Sequence, residues 1–277
     1  MSEDPRLRIN KHTKLCMSLA SRPGNFGTRL HNFLYAAMNL NYVYKAFTTT
    51  DLKSAIAGIR ALAIRGCAIS MPFKEEVMQY LDHIDPSAAH IRAVNTIVND
   101  DGVLSGFNTD YTAIQKIVAE RAVPLSARIC VFGSGGMAKA IVSALDEARY
   151  RTVIIVARNT KTGGLLAEKY GYRWFPEFPQ GELFQVLINA SPVGMSPDTE
   201  GCPFSKEFVR DAELVIDSVA NPIQTLLIRT AAALGKAYVT GFDITIIQSI
   251  EQFHMYTGVL PDEPTLKAAR EFVQASI

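Results

Sequence analysis

The chain has little of what would mark a metal, membrane or nucleic-acid protein. Its four cysteines, Cys16, Cys67, Cys130 and Cys202, are widely scattered and form no C-x-x-C pair. Neither a zinc site nor a disulfide framework is indicated, and reduced, buried thiols are the expectation. Neither sign of charge is in excess, with 28 Lys and Arg against 27 Asp and Glu and a formal net charge of +1. There is no long basic run, which argues against a nucleic-acid partner. No apolar run has the length of a membrane span, so no membrane partner is expected. Met1 to Lys14 mixes charges with Pro and Asn and lacks the apolar segment of a secretory signal, which points to a cytoplasmic protein. Internal repeats and low-complexity tracts are also missing.

The 277 residues, 48% hydrophobic and 20% charged, are enough for one large or two medium globular domains. Short apolar runs alternate with longer helix-like ones, the pattern of an α/β protein. Strands are predicted at Lys14–Leu19, Tyr42–Phe47, Cys67–Ser70, Arg128–Phe132, Thr152–Ala157, Val186–Asn189, Leu214–Asp217 and Ala237–Thr240. A hairpin is predicted around Asp101-Gly102. Helices are predicted over Thr28–Met38, Leu52–Ala63, Lys74–Leu81, Tyr111–Glu120 and Met137–Ala148. A long helical stretch follows Gly241 and is interrupted near Pro261. These place a substrate-binding and catalytic α/β domain in residues 1–108 and 243–277, and a Rossmann-type dinucleotide-binding domain in residues 109–242.

The clearest chemical signal is Phe132-Gly133-Ser134-Gly135-Gly136-Met137, which follows a strand and opens a helix. Glycines there let the backbone approach a pyrophosphate, and the helix start supplies N–H donors at the positive end of the helix dipole. A glycine string alone is weak, because glycines also serve tight turns; the strand-turn-helix-strand context strengthens it. An NAD site places Asp or Glu about 20 residues further on to accept from the ribose 2′-hydroxyl. Here the next strand ends in Ala157-Arg158-Asn159. A guanidinium suits the 2′-phosphate of NADP, since its planar fork pairs bidentately with phosphate. NADP is the expected cofactor, with NAD possible. Asn189-Ala190-Ser191-Pro192-Val193-Gly194-Met195 follows another buried strand of the same domain, at the edge that faces a cofactor in open α/β sheets.

Met71-Pro72-Phe73-Lys74 sets a lysine past a strand and at a helix start, against the helix dipole. Taken alone, an exposed lysine is the commoner meaning. Two other clusters change the balance. Ala93-Val94-Asn95-Thr96 offers an amide to a hydroxyl-rich ligand, and Asn108-Thr109-Asp110 offers a carboxylate at the domain joint. Lys74 and Asp110 together could move a hydroxyl proton while hydride passes to a nicotinamide.

In order and over nearly the whole chain, these strings resemble the shikimate dehydrogenase family. The resemblance implies reversible reduction of 3-dehydroshikimate to shikimate with NADPH. It implies Lys74 and Asp110 as the catalytic pair and Ser70, Asn95 and Gln248 as holders of the substrate hydroxyls. It also implies Gly133, Ser134, Gly135, Gly136, Met137, Arg158, Ser218 and Gly241 as the cofactor set. The departures are local. The family's Ser-x-Ser pair for the substrate carboxylate falls at Asn25 and Gly27, leaving Ser21 and Asn25 as the donors expected to replace it. A family Asn falls at Ala68, a substrate-touching Tyr at Ala220, and a second basic residue of the ribose site at Thr162. This is a divergent, shikimate dehydrogenase-like pattern. The expected partner is a small cyclic hydroxy acid, with quinate and aminoshikimate as competing substrates, and the chain is expected to act as a monomer or homodimer. A catalytically weak NADP-binding regulator is the reading from another class, but a sensor needs the glycine turn and not the proton relay.

Overall fold

A computed structural model describes residues 9–275; part of the Met1–Lys14 stretch read above lies outside them. The chain divides into two compact units, one of residues Met1–Thr109 with Gln248–Ile277, the other of Asp110–Ile247. The first joint falls one residue past the expected 108/109 boundary. The second falls inside a helix at Gln248, beyond the expected 242/243 boundary.

The first unit carries a six-stranded mixed sheet built from β1 (Lys14–Leu19), β2 (Tyr42–Phe47), β3 (Gly66–Ile69), β4 (His83–Ile84), β5 (Thr96–Asp100) and β6 (Val103–Phe107), in the order β2-β1-β3-β5-β6-β4. β1 pairs in parallel with β2 and β3, and β3 pairs antiparallel with β5. The β5–β6 hairpin closes at Asp101 and Gly102, both at positive φ, as a two-residue hairpin turn demands. One face of the sheet packs Met17, Leu19, Cys67 and Ile69 against Leu52, Ile56 and Ile59 of α2 (Leu52–Ala61). The opposite face presents Cys16, Tyr44 and Gly66 to α1 (Phe26–Ala37) and to α9 (Gly241–Thr257). His31 of α1 stacks on Tyr44 at 4.4 Å, and a Cβ at Gly66 would lie 2.2 Å from the Tyr256 ring of α9. The predicted helix over Lys74–Leu81 is instead a run of turns leading into a short 3-10 segment, Glu76–Tyr80. In that run the backbone turns back on itself, with Phe73 N–H donating to the Ser70 carbonyl.

The second unit opens with α4 (Thr109–Glu120) and carries six parallel strands. These are β7 (Ile129–Phe132), β8 (Val153–Val156), β9 (Arg173–Phe175), β10 (Val186–Asn189), β11 (Leu214–Asp217) and β12 (Ala237–Val239), in the order β12-β11-β10-β7-β8-β9. All paired strands here are parallel. Val153–Val156, Val186–Asn189 and Leu214–Asp217 are buried at every position, so they read as unbroken apolar runs, as strands covered on both faces do. The crossovers are α5 (Gly136–Glu147), α6 (Thr160–Tyr170), α7 (Lys206–Asp211) and α8 (Leu226–Ala233). The sheet is doubly wound, and its winding reverses between β7 and β10, the switch point where such sheets bind ligands. Pro261 separates α9 from α10 (Glu263–Gln274). Among the described residues no helix is long and apolar enough to cross a membrane, and no cluster of His, Cys, Asp and Glu could hold a metal.

Candidate active site

At the switch point of the second unit, β7 ends in Gly133, whose φ of +124° disfavours any residue with a Cβ. A Cβ there would also lie 2.8 Å from the Ala190 carbonyl oxygen at the end of β10. Gly135 caps α5 without a side chain, and a Cβ on either Gly135 or Gly136 would meet nothing within 4 Å. Open space thus lies over the N-terminus of a twelve-residue helix, as a phosphate needs. A cleft of about 410 Å³ begins here, lined by Gly133 and Ser134 on one strand end and by Ala157, Arg158 and Asn159 on the next, with Ser191 beside them. Arg158 is exposed on its wall, and no carboxylate lines it. Asn159 accepts from Thr162 N–H at 3.0 Å and so caps α6, while the Ser134 and Thr162 hydroxyls lie 2.7 Å apart. The floor is braced by Trp174, whose indole N–H donates to the Ala157 carbonyl at 3.1 Å. A Cβ at Gly163 would lie 2.3 Å from that indole nitrogen. Glycine inside α6 therefore has a packing reason.

The loops after β10 and β11 are tied by a buried polar network. The fully buried Asp217 carboxylate accepts from Asn189 Nδ2 at 2.9 Å, Val219 N–H at 3.0 Å and the Thr225 hydroxyl at 2.6 Å. The Asn189 side chain in turn accepts from the Ser191 N–H and hydroxyl and donates to the Val193 carbonyl. Burial raises the Asp217 carboxyl above its ordinary value, against the three donors that lower it. Ser218 is half-buried on this loop, and its N–H donates to the Asn189 carbonyl. Met137 is half-buried in the first turn of α5. Gly241 lies where a Cβ would meet the Val219 carbonyl at 2.3 Å, so its missing side chain admits the 218–222 loop.

In the first unit, the face of the sheet toward α1 and α9 ends in a row of small side chains in register: Ala46 of β2, Ser18 of β1, Ala68 of β3 and Thr96 of β5. Ala46, Ser18 and Ala68 stay partly exposed although β1 and β3 are interior strands. Asn95, buried beside it, is held by its carbonyl oxygen, which accepts from Thr109 N–H at 2.8 Å and from the Thr96 hydroxyl at 2.8 Å; one N–H donates to the Thr109 hydroxyl at 3.1 Å. Gln252 of α9 donates to the Thr96 hydroxyl at 3.0 Å. Gln248 lies one turn earlier on that helix, half-buried on the same side. Ser70 lies two residues past Ala68 and is exposed, with its N–H on the Leu19 carbonyl. The Lys74 carbonyl accepts from Val94 N–H at 2.8 Å, which fixes the lysine's backbone one residue from Asn95; Lys74 itself is half-buried. Ser21 is exposed and its hydroxyl donates to the Met71 carbonyl at 3.4 Å. Asn25 is the exposed N-cap of α1 and makes no side-chain cap bond.

Asp110 opens the second unit in the first turn of α4 and is buried. The residues before it are pinned: Asn108 donates through its side chain to the Ala93 carbonyl at 2.8 Å, and its N–H to the Ser87 hydroxyl at 3.1 Å. Ser70, Lys74, Asn95 and Gln248 thus lie around one end of the first unit's sheet. Gly133, Ser134 and Arg158 share the cleft of the second. Sequence reasoning passed over Asp217, Trp174 and Gln252. An acidic residue ending the apolar run Leu214-Val215-Ile216, and the chain's single tryptophan, are the two signals that were available.

A doubly wound unit with a glycine turn at its switch point, joined in one chain to a mixed α/β unit whose sheet ends in polar side chains, is the build of a two-domain NAD(P)-dependent dehydrogenase. The sequence model described as the shikimate dehydrogenase substrate binding domain matches residues 26–97. A shikimate dehydrogenase-like protein of Haemophilus influenzae is 46% identical over 96% of this chain and 98% of its own. An NADP(+) shikimate dehydrogenase of Methanococcus maripaludis is 31% identical over 88% of this chain and 91% of its own. The crystal structure of shikimate 5-dehydrogenase from Thermus thermophilus, in complex with NADP(H) and shikimate, superposes with a TM-score of 0.84 at 29% identity, covering 94% of this chain and 99% of that one. The chain belongs to the shikimate dehydrogenase family.

Proposed function

We propose that this chain is an NADP-dependent oxidoreductase that interconverts shikimate, or a close cyclic hydroxy-acid relative, and its 3-dehydro form. The observation that carries the cofactor half is the 410 Å³ cleft with Arg158 on its wall and no carboxylate to accept from a ribose 2′-hydroxyl. Gly133, Ser134, Gly135, Gly136 and Met137 would receive the pyrophosphate at the start of α5, Arg158 would pair with the 2′-phosphate, and Ser218 and Gly241 would complete the site. When bound there, the nicotinamide would supply hydride to the substrate carbon or accept it.

The chain's own part is positioning and proton transfer. Lys74 gives a proton to the substrate oxygen when a carbonyl becomes a hydroxyl, and takes it back in the reverse direction. Asp110 is the second member of the proposed catalytic pair. Ser70, Asn95 and Gln248 bind the substrate hydroxyls. Asn95 suits this, because Thr96 and Thr109 fix its amide and leave one N–H uncommitted. Ser21 and Asn25 serve the carboxylate. The protein works in the cytoplasm as a monomer or homodimer, without nucleic acid.

The test is steady-state turnover of shikimate, quinate and aminoshikimate with NADP and with NAD. Shikimate with NADP is expected to give the highest kcat/KM. Turnover of none of the six combinations, with NADP still bound, would leave a nucleotide-binding regulator and overturn the enzyme assignment.

A further inference from the structure

We propose that Trp174 is a positioning residue for cofactor choice: its indole N–H holds the Ala157 carbonyl and so sets Arg158 for the 2′-phosphate of NADP. The inference rests on the reading above that Arg158 pairs with that phosphate, and it concerns what aims the arginine.

Arg158 is exposed on the cleft wall, and among the described residues its guanidinium has no hydrogen bond or ion pair to hold it. Its direction is therefore set from below, by the backbone. Ala157, the residue before it, is buried, and its N–H and carbonyl are both engaged. The N–H donates to the Phe175 carbonyl at 3.0 Å. β9 ends at Phe175, before Pro176, so the strand ladder goes no further. The Ala157 carbonyl belongs to the peptide that leads into Arg158. It accepts from a side chain, the Trp174 indole N–H at 3.1 Å. Because a peptide is planar, that bond fixes the group from which the arginine springs.

The indole is itself held in place. Gly163 of α6 packs on it so closely that a Cβ would lie 2.3 Å from the indole nitrogen and 3.1 Å from the Ala157 Cβ. Glycine inside a helix is unfavourable against alanine, and close approach of the indole is the reason for one here. α6 is fastened at the next residue, where the Asn159 side chain accepts from Thr162 N–H and its carbonyl accepts from Gly163 N–H at 2.9 Å. Arg158 thus stands between two fixed residues: Ala157, tied to β9 through Phe175 and Trp174, and Asn159, tied to α6. A phenylalanine would fill much of the same space but has no N–H to give, which is the chemical reason for an indole at 174. NAD carries no 2′-phosphate, so the indole should matter for one cofactor and not for the other.

The experiment uses the full chain and reads the dissociation constants of NADP and NAD by calorimetry. The proteins are the native chain, Trp174→Phe, Arg158→Ala and the double variant. Trp174→Phe should weaken NADP roughly fivefold, the scale of one neutral hydrogen bond, and leave NAD unchanged. In the Arg158→Ala background the same substitution should cost NADP nothing further, because a residue that acts through the arginine has nothing left to act on. A role in stability alone would depend neither on the cofactor nor on Arg158. Gly163→Ala, which drives a methyl group into the indole, should reproduce the selective loss, so the outcome does not hang on one variant. Unchanged NADP affinity in Trp174→Phe, an equal loss for NAD, or a loss that persists undiminished in the Arg158→Ala background would overturn the proposal. If Arg158→Ala itself spares NADP, the reading of the 2′-phosphate falls and the proposal with it. If Arg158→Ala weakens NADP while Trp174→Phe does not, the proposal falls alone.

Discussion

Lys74 shows how a single residue's meaning depends on its neighbours. In a helix start it would oppose the dipole, but it lies in a run of turns before a 3-10 segment, with its carbonyl bonded to Val94. The backbone is fixed by that bond while the side chain stays half-buried, which suits a group that must reach a substrate and return. Lys74→Ala is expected to lower kcat by about 10²–10⁴, the span for losing a general acid–base, while NADP binding stays intact. Stopped-flow or steady-state rates with a parallel nucleotide titration read both. A near-normal kcat with a raised KM would make Lys74 a binding residue instead.

At the scale of elements, α1 and β2 are locked by aromatic packing around His31. Its ring is fully buried beside Tyr35, Tyr44, Phe253 and Tyr256, and neither ring nitrogen has a hydrogen-bond partner. Burial pushes the imidazole down to about 3 from its ordinary 6.5, so the folded state keeps it neutral. A depressed value gives stability that is complete above the unfolded value and drains as pH falls toward the folded one. Between about pH 7 and about pH 5 this one group should remove roughly 2 kcal/mol of folding stability. Urea titrations of the native chain and His31→Phe at both pH values check it. The variant should lose that much less, and parallel losses would mean His31 does not titrate on unfolding. This packing was not legible in the sequence, because a His among aromatics gives no periodic signal. The strands were legible where they are buried on both faces: Val186–Asn189 and Leu214–Asp217 coincide with their apolar runs. So was the hairpin, since Asp101-Gly102 needs two positive φ values. The segment after Pro72 was not, because its apolar spacing fits a helix while hydrogen bonds with Val94 and Ser70 hold it otherwise. The glycine turn and Arg158 could be read from local order alone. Gln252 and Asp217 matter through partners far along the chain, which one sequence does not display.

For the whole molecule, the family sets the chemistry and the second unit sets the cofactor. On the proposed reading, the dinucleotide lies at the winding reversal and the residue after Ala157 chooses between NADP and NAD. A guanidinium stands there, exposed on the cleft wall, with Asn159 committed to capping α6 and Thr162 to Ser134. On the proposed reading, Arg158 is the residue that pairs with the 2′-phosphate. The most direct measurement is the dissociation constant of NADP and of NAD for the native chain and for Arg158→Ala. The native chain should prefer NADP, and the variant should lose roughly 1–3 kcal/mol of NADP binding, as for a hydrogen bond to a charged group, with NAD unchanged. Equal losses for both cofactors, or a native preference for NAD, would contradict the assignment.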